Sequence, residues 1–422
     1  MKRLTQLAAT LPYWLFALTL LLLLAARDSQ NLLRPEFYAE DGSAWYAEAY
    51  RNGFASLALP RDGYFNSIQR LVAIAAQPLP LSCAPLAFNL FAYAAYAGLV
   101  LLLISPRLDE AWPQRGARRL FALLLVLMPA AHEVFGVLTN VQWVLAAFAF
   151  LVLASRPPAG WGGKLLDGTV LLASGASGPF CIVLVPFAAW RWWRAGGRPC
   201  AWRLALLLGT VALQLGCIYF FIGERPAAHA LGASPGVLLQ IVALIALMAE
   251  FGSKAVGLFA YTAFWHLQPL TGVVLGLGAL LACAIGWRAA TPLLRWFMLF
   301  AALMLAAALY KPTIDPRPEV LPWLVMVEHP PAGGRYYFFP LIAWWGMLFA
   351  CATQAGLIRR LAQGLLALTC LIAIPLDWPV WHADHYDEFQ AQARAFETAA
   401  PGTRFVIPIK PQDFAPLVLV KK

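Results

Sequence analysis

Apolar runs long enough to cross a bilayer recur from residue 11 to about residue 376 of this 422-residue chain, and they leave few folds open. A hydrocarbon core of ~30 Å takes roughly 20 residues of helix, and every backbone N–H and C=O inside it must be bonded within the segment. The chain is 61% hydrophobic and only 12% charged, where soluble proteins carry about a quarter charged residues. The expected fold is therefore an all-α polytopic membrane protein with roughly 10–12 transmembrane or re-entrant helices.

The first run, 11–26, follows Lys2 and Arg3 and imitates a signal peptide, but Ala25-Ala26-Arg27 is a weak cleavage match, so it reads as a retained signal anchor. Further spans are expected at 87–104, 120–131, 141–154, 204–222, 237–259, 272–287, 294–310, 337–355 and 361–376. Residues 71–81 are interrupted by Pro78 and Pro80 and read as interfacial or re-entrant. Residues 165–190 carry Ser174-Gly-Ala-Ser-Gly-Pro179 in their middle, which predicts a hairpin of two short helices. Irregular backbone at that depth is tolerated only against protein or water, so the break is a candidate cavity wall.

The net charge of +10 reports topology. Placing Lys2/Arg3 and the clusters at 107–119, 156–164, 191–203, 288–295 and 359–360 in the cytosol gives a consistent weave. Of the 21 acidic residues, only Asp109, Glu110 and Asp167 then fall on or near the cytosolic side. All 6 histidines fall outside or near the outer face. The reading places the protein in a bacterial inner membrane, with a cytoplasmic N-terminus and a periplasmic C-terminus. It divides into a membrane domain, 1–378, with outer loops at 28–70 and 311–335, and a short periplasmic tail, 379–422, holding an amphipathic helix around 386–398. The 7 cysteines show no paired spacing and read as small hydrophobes, not as a metal site. No nucleic-acid partner is implied.

Chemistry is expected in the outer loops. Glu40-Asp41, in the acidic and aromatic stretch Glu36-Phe-Tyr-Ala-Glu-Asp-Gly-Ser-Ala-Trp45, supplies carboxylates at the rim of a span, where burial tunes a general base. Asp41 is equally placed to cap the helix that follows it. Arg335 opens the aromatic run Tyr336-Tyr337-Phe-Phe-Pro340, where a guanidinium grips phosphate bidentately or anchors the interface. His132, Glu133, Asn140 and Gln142 bracket an outer turn and are candidates for binding hydroxyls. Glu250 and Lys254 stand four apart, as in a helical ion pair, and read as structural. His382-Ala-Asp-His385 is a weak candidate for metal. Walker-type phosphate loops, nucleophile elbows and His-Glu-x-x-His motifs are missing from the sequence.

The cytosolic N-terminus, the first span, the outer loop opening on Glu40-Asp41 and the late Arg335-Tyr336-Tyr337 together resemble the GT-C superfamily, integral membrane glycosyltransferases that use polyprenyl-phosphate-linked sugars. Many relatives read Asp-Glu where this chain reads Glu-Asp, which leaves open which carboxylate is the base. The resemblance implies Asp41, with Glu40 as runner-up, as the catalytic base. On this reading Arg335 is expected at the donor phosphate with Lys311 or Arg317 beside it, and Tyr336, Tyr337, Trp45, His132, Glu133, Asn140 and Gln142 are the candidates for binding substrate. It implies transfer, with inversion at the anomeric carbon, from the lipid-linked donor to a hydroxyl of a glycan, lipid or protein at the periplasmic face. No cofactor is indicated, although a divalent cation is compatible. The alternatives are a transporter or flippase of a lipid-linked or amphipathic solute, and a membrane acyltransferase or polysaccharide polymerase.

Overall fold

The computed structural model describes residues 2–195, 198–221, 230–261, 269–314, 320–330, 333–378, 385–411 and 414–422. It is an all-α polytopic membrane protein. Among the described residues six helices are long and apolar enough to cross a membrane: Ala84–Ile104, Cys200–Phe221, Pro235–Leu258, Leu270–Ala289, Pro292–Tyr310 and Gly356–Asp377. Other expected spans are shorter helices packed among these.

The N-terminal span is the first difference from expectation. Instead of one helix over 11–26, α1 (Lys2–Thr10) and α2 (Tyr13–Arg27) meet at 105°. Pro12 has no N–H to carry a helix through, and the buried Arg119 guanidinium takes the carbonyls of Ala8 and Leu11, each at 2.6 Å, which ends α1 there. At the far end of α2, buried Arg27 reaches the carbonyls of Val126, at 2.9 Å, and Met128, closing the C-terminus of α7 (Arg115–Val126).

Between these helices lie α3 (Ser29–Leu33), a π-helical turn at Asp41–Tyr46 running into α4 (Ala47–Asn52), and α5 (Ser67–Ala76). Then come α6 (Ala84–Ile104) and α8 (Val141–Ala154). With only 14 residues, α8 is buried on nearly every side and works as a core helix. The expected short hairpin forms as α9 (Trp161–Gly175) and α10 (Phe180–Arg194). Its break docks the first loop: Ser67 N–H donates to the Ala176 carbonyl and Ile68 N–H to Ser177 Oγ, both at 3.0 Å.

The later helices are α11 (Arg198–Phe221), α12 (Pro235–Tyr261), α13 (Pro269–Ala289), α14 (Pro292–Tyr310), α15 (Pro322–Glu328), α16 (Gly334–Cys351) and α17 (Gly356–Leu368). Helix α17 continues through a π turn into α18 (Ile374–Asp377). Helix α12 breaks at Gly252, whose φ of +81° an L-residue rarely adopts. Asp377 caps the second half, accepting from Ser253 N–H at 2.7 Å, Ser253 Oγ at 2.9 Å and Lys254 N–H at 3.1 Å. The break separates Glu250 from Lys254, so the expected ion pair does not form. Glu250 accepts instead from Trp344 Nε1 at 3.0 Å and Thr369 Oγ1 at 2.9 Å.

Basic loops meet at one end of the bundle. Buried Asp167 binds Arg107 at 2.7 Å and also Arg203, drawing two of the sequence clusters together. At the opposite end the first loop is covered by α19 (Tyr386–Thr398) and the antiparallel strands β1 (Arg404–Ile407) and β2 (Leu417–Val420). Among the described residues the tail is thus joined to the loop. Phe389 stacks edge-on against Phe37 at 5.9 Å, and buried Lys410 lies 3.6 Å from buried Glu36.

Candidate functional site

Loop and tail are joined by two backbone bonds: Lys410 N–H donates to the Phe37 carbonyl at 3.0 Å and Ala39 N–H to the Lys410 carbonyl at 2.5 Å. Ala39 is held at φ +49°, an uncommon conformation for a residue with a Cβ, and it turns the chain immediately before Glu40. Gly42 then allows the close approach that follows. A Cβ there would stand 2.9 Å from Phe37 Cβ and 3.2 Å from Ile409 Cγ2.

The outcome is to send the two neighbouring acids to different places. Glu40 lines a cavity of about 370 Å³ and accepts from Thr139 Oγ1 at 3.0 Å. Asp41 is fully buried and is not among the lining residues. The N–H groups of Leu138, Thr139 and Tyr38 face its carboxyl, but neither oxygen gains a hydrogen bond of normal geometry. Burial, and then the charge of Glu40, raises its pKa well above the usual carboxylate range. The Asp41 carboxyl is thus sealed behind the cavity that Glu40 lines.

Across the same cavity stands Arg335, on the first turn of α16. Glu133 orients it, accepting from the Arg335 backbone N–H at 3.0 Å and from Nη1 at 3.2 Å. Nη2 donates to the Thr313 carbonyl, and the guanidinium lies 4.9 Å over the Tyr336 ring. Tyr336 Oη in turn accepts from Thr313 N–H at 2.8 Å, which joins the end of α14 to the start of α16. Lys311 also lines this wall.

Of the remaining sequence candidates, Trp45, Glu133, Asn140, Gln142 and Tyr336 line the cavity. Trp45 donates to Thr139 Oγ1 at 3.4 Å, Asn140 to the Glu133 carbonyl at 2.8 Å, and Gln142 accepts from Gln69 at 2.6 Å. Tyr337 is turned away from it, donating to the Met326 carbonyl at 3.3 Å inside the core. His132 packs close to Gly334 beside the cavity without lining it. Arg317 and His382 lie outside the described residues, as do Asp315, Glu319 and Asp384. Among the described residues no cluster of His, Cys, Asp and Glu could hold a metal ion.

Sequence reasoning missed part of the wall: Tyr38, Arg61, Asp62, Tyr64 and Phe414 also line it. Asp62-Gly63 carries the residue pattern of a turn and no mark of a binding site, and nothing in the text of the tail points to Phe414. Arg61 lies 5.5 Å over the Trp45 ring, so an indole and a cation share one edge of the cavity. The apolar side is built by Trp143, which packs on Tyr336 and Phe180 with centroids 5.9 and 5.0 Å apart. Chemically the hollow offers a solvent-reachable carboxylate, an oriented guanidinium, an ammonium and aromatic faces. No family model, curated protein or solved structure matches this chain.

Proposed function

We propose that this protein is a membrane glycosyltransferase that moves a sugar from a polyprenyl-phosphate donor to a hydroxyl acceptor, with the 370 Å³ cavity as its site. The observation that supports the reading best is the convergence of Glu40, from the first loop, with Arg335 and Lys311, from near the other end of the chain, on one hollow. An anionic leaving group and a hydroxyl nucleophile need that pairing of charges.

In this reading Glu40, not Asp41, accepts the proton of the acceptor hydroxyl. The hydroxyl oxygen bonds to the anomeric carbon while the bond from that carbon to the phosphate oxygen breaks. The phosphate leaves with the electron pair, and Arg335 and Lys311 balance its charge. Glu133 is a positioning residue: it fixes the guanidinium fork, and its own charge is already satisfied by it. Trp45 and Tyr336 are the surfaces on which a sugar ring would stack. Direct attack inverts the anomeric centre. The site would face the periplasm of a bacterial inner membrane, where a lipid carrier can present a sugar that nucleotide donors cannot.

Reconstitution in liposomes with a radiolabelled polyprenyl-phosphate sugar and a lipid or glycan acceptor tests this. Glu40→Gln is expected to lower transfer by roughly 10²–10⁴-fold, the usual weight of general-base catalysis, with insertion unchanged. Asp41→Asn is expected to keep most of the activity, because this side chain is buried outside the cavity lining and the amide is close to it in size. The reverse pattern would remove the base assignment. Label that crosses the membrane without forming a new glycoside would point to a transporter instead.

A further inference from the structure

A larger cavity lies elsewhere. It measures about 950 Å³, opens near the basic loops, and is walled by α6, α7, α8, α14 and α16. Leu103, Phe121, Leu125, Phe150, Phe297 and Phe349 form its depth, while Arg115, Arg359 and Arg360 stand on its lining with Thr291, Thr353 and Gln363. That depth does not suit water, which needs two to four polar partners and finds few among Leu and Phe side chains.

Charge narrows the occupant further. Arg115 is bound to Asp109 at 2.6 Å, but Arg359 and Arg360 have no acidic partner among the described residues, and both are exposed. They follow Gly356, whose φ of +66° turns the chain from the end of α16 back over the cavity mouth. They stand exposed at the first turns of α17 and at the same time line the mouth of an apolar hollow between membrane helices, a setting in which basic residues receive a lipid headgroup.

We propose that this cavity is a binding site for one anionic glycerophospholipid, an acyl chain lying between Phe121, Phe150 and Phe297 and its phosphate held by Arg359 and Arg360. The site is separate from the Glu40–Arg335 cavity and shares no lining residue with it. Its occupant is a resident lipid that fills the core and ties α17 to α7 and α14.

The full chain in nanodiscs of phosphatidylcholine, doped with a phosphatidylglycerol carrying a photoreactive group on its acyl chain, provides the test. Peptide mapping is expected to place adducts on the cavity residues of α7, α8 and α14. Unlabelled phosphatidylglycerol should compete and phosphatidylcholine should not. Arg359→Gln with Arg360→Gln is expected to lower that labelling at least tenfold. Leu125→Trp, which fills the depth and leaves the arginines in place, should lower it as well. Adducts spread over the outer faces of the helices, equal competition by phosphatidylcholine, or labelling unchanged in both variants would each overturn the proposal. So would protection of the site by inorganic phosphate alone.

Discussion

Lys410→Met probes the joint between tail and loop, because it removes one charge from a sealed pair while keeping most of the side-chain volume. The lysine side chain is 1% exposed and that of Glu36 0%, and their charged atoms are 3.6 Å apart. At an effective dielectric constant near 20, that separation corresponds to roughly 4–5 kcal/mol of attraction. Removing one partner of a buried pair costs ~3–5 kcal/mol, since the other charge is left in a medium that cannot solvate it. With ~2.1 cal/mol/K of unfolding entropy for each of the 422 residues, the apparent Tm should fall by ~3–6 °C. The double variant Glu36→Gln with Lys410→Met should recover most of the loss. Glutamine still accepts from His385 N–H, which lies 3.0 Å from Glu36 Oε2, and no net charge remains buried. The assay is thermal unfolding of the purified chain followed by tryptophan fluorescence, run as a double-mutant cycle. A single variant within 1 °C of wild type, or a double variant no better than the single, would refute the argument that this pair fastens the tail over Ala39 and Glu40.

Two other perturbations address the backbone and the pH response. Gly252→Ala forces a Cβ onto a φ of +81° and to within 2.9 Å of Asp377 Oδ1, so it should destabilise by about 1–3 kcal/mol and loosen the cap on the second half of α12; a Tm equal to wild type would show that the break relaxes freely. Asp28, just beyond α2, has its carboxyl pushed up from 3.8 to about 6 by burial, against the hydrogen bonds from Asn31. The folded state therefore holds its proton longer than the unfolded chain does, and the contribution of this group to stability falls as pH rises from about 4 to about 6, by ~3 kcal/mol in all, then stays level. Asp28→Asn should flatten that segment of the stability–pH curve, and an unchanged slope would assign it to another group.

Much of the fold is written in the sequence because the bilayer imposes a coarse rule. A run of apolar residues has few alternatives to a helix, and the alternation of basic clusters with acidic loops orders the ends. The hairpin around Ser174–Pro179 was legible for the same reason, since a polar, glycine-rich break inside apolar text must be covered by something. Pair contacts were not. Glu250 and Lys254 have the spacing of an ion pair, but Gly252 lies between them, and only the packing of Asp377 decides that the helix breaks there.

The site divides along the same line. Residue types at each end of the chain named the acids of the first loop and the guanidinium before the aromatic helix, because charged side chains at a membrane rim are few and conspicuous. Which of the adjacent carboxylates meets the cavity could not be read from their order. That was settled by Ala39, bent to φ +49° under the backbone of Lys410, and by the closeness of Gly42 to Ile409, so that Glu40 faces the hollow and Asp41 is sealed behind it. Sequence by itself determined the solvent this chain folds in and the groups it can bring to an interface. Tertiary structure alone decided which groups meet, because those contacts join residues hundreds of positions apart through shapes that no local pattern encodes.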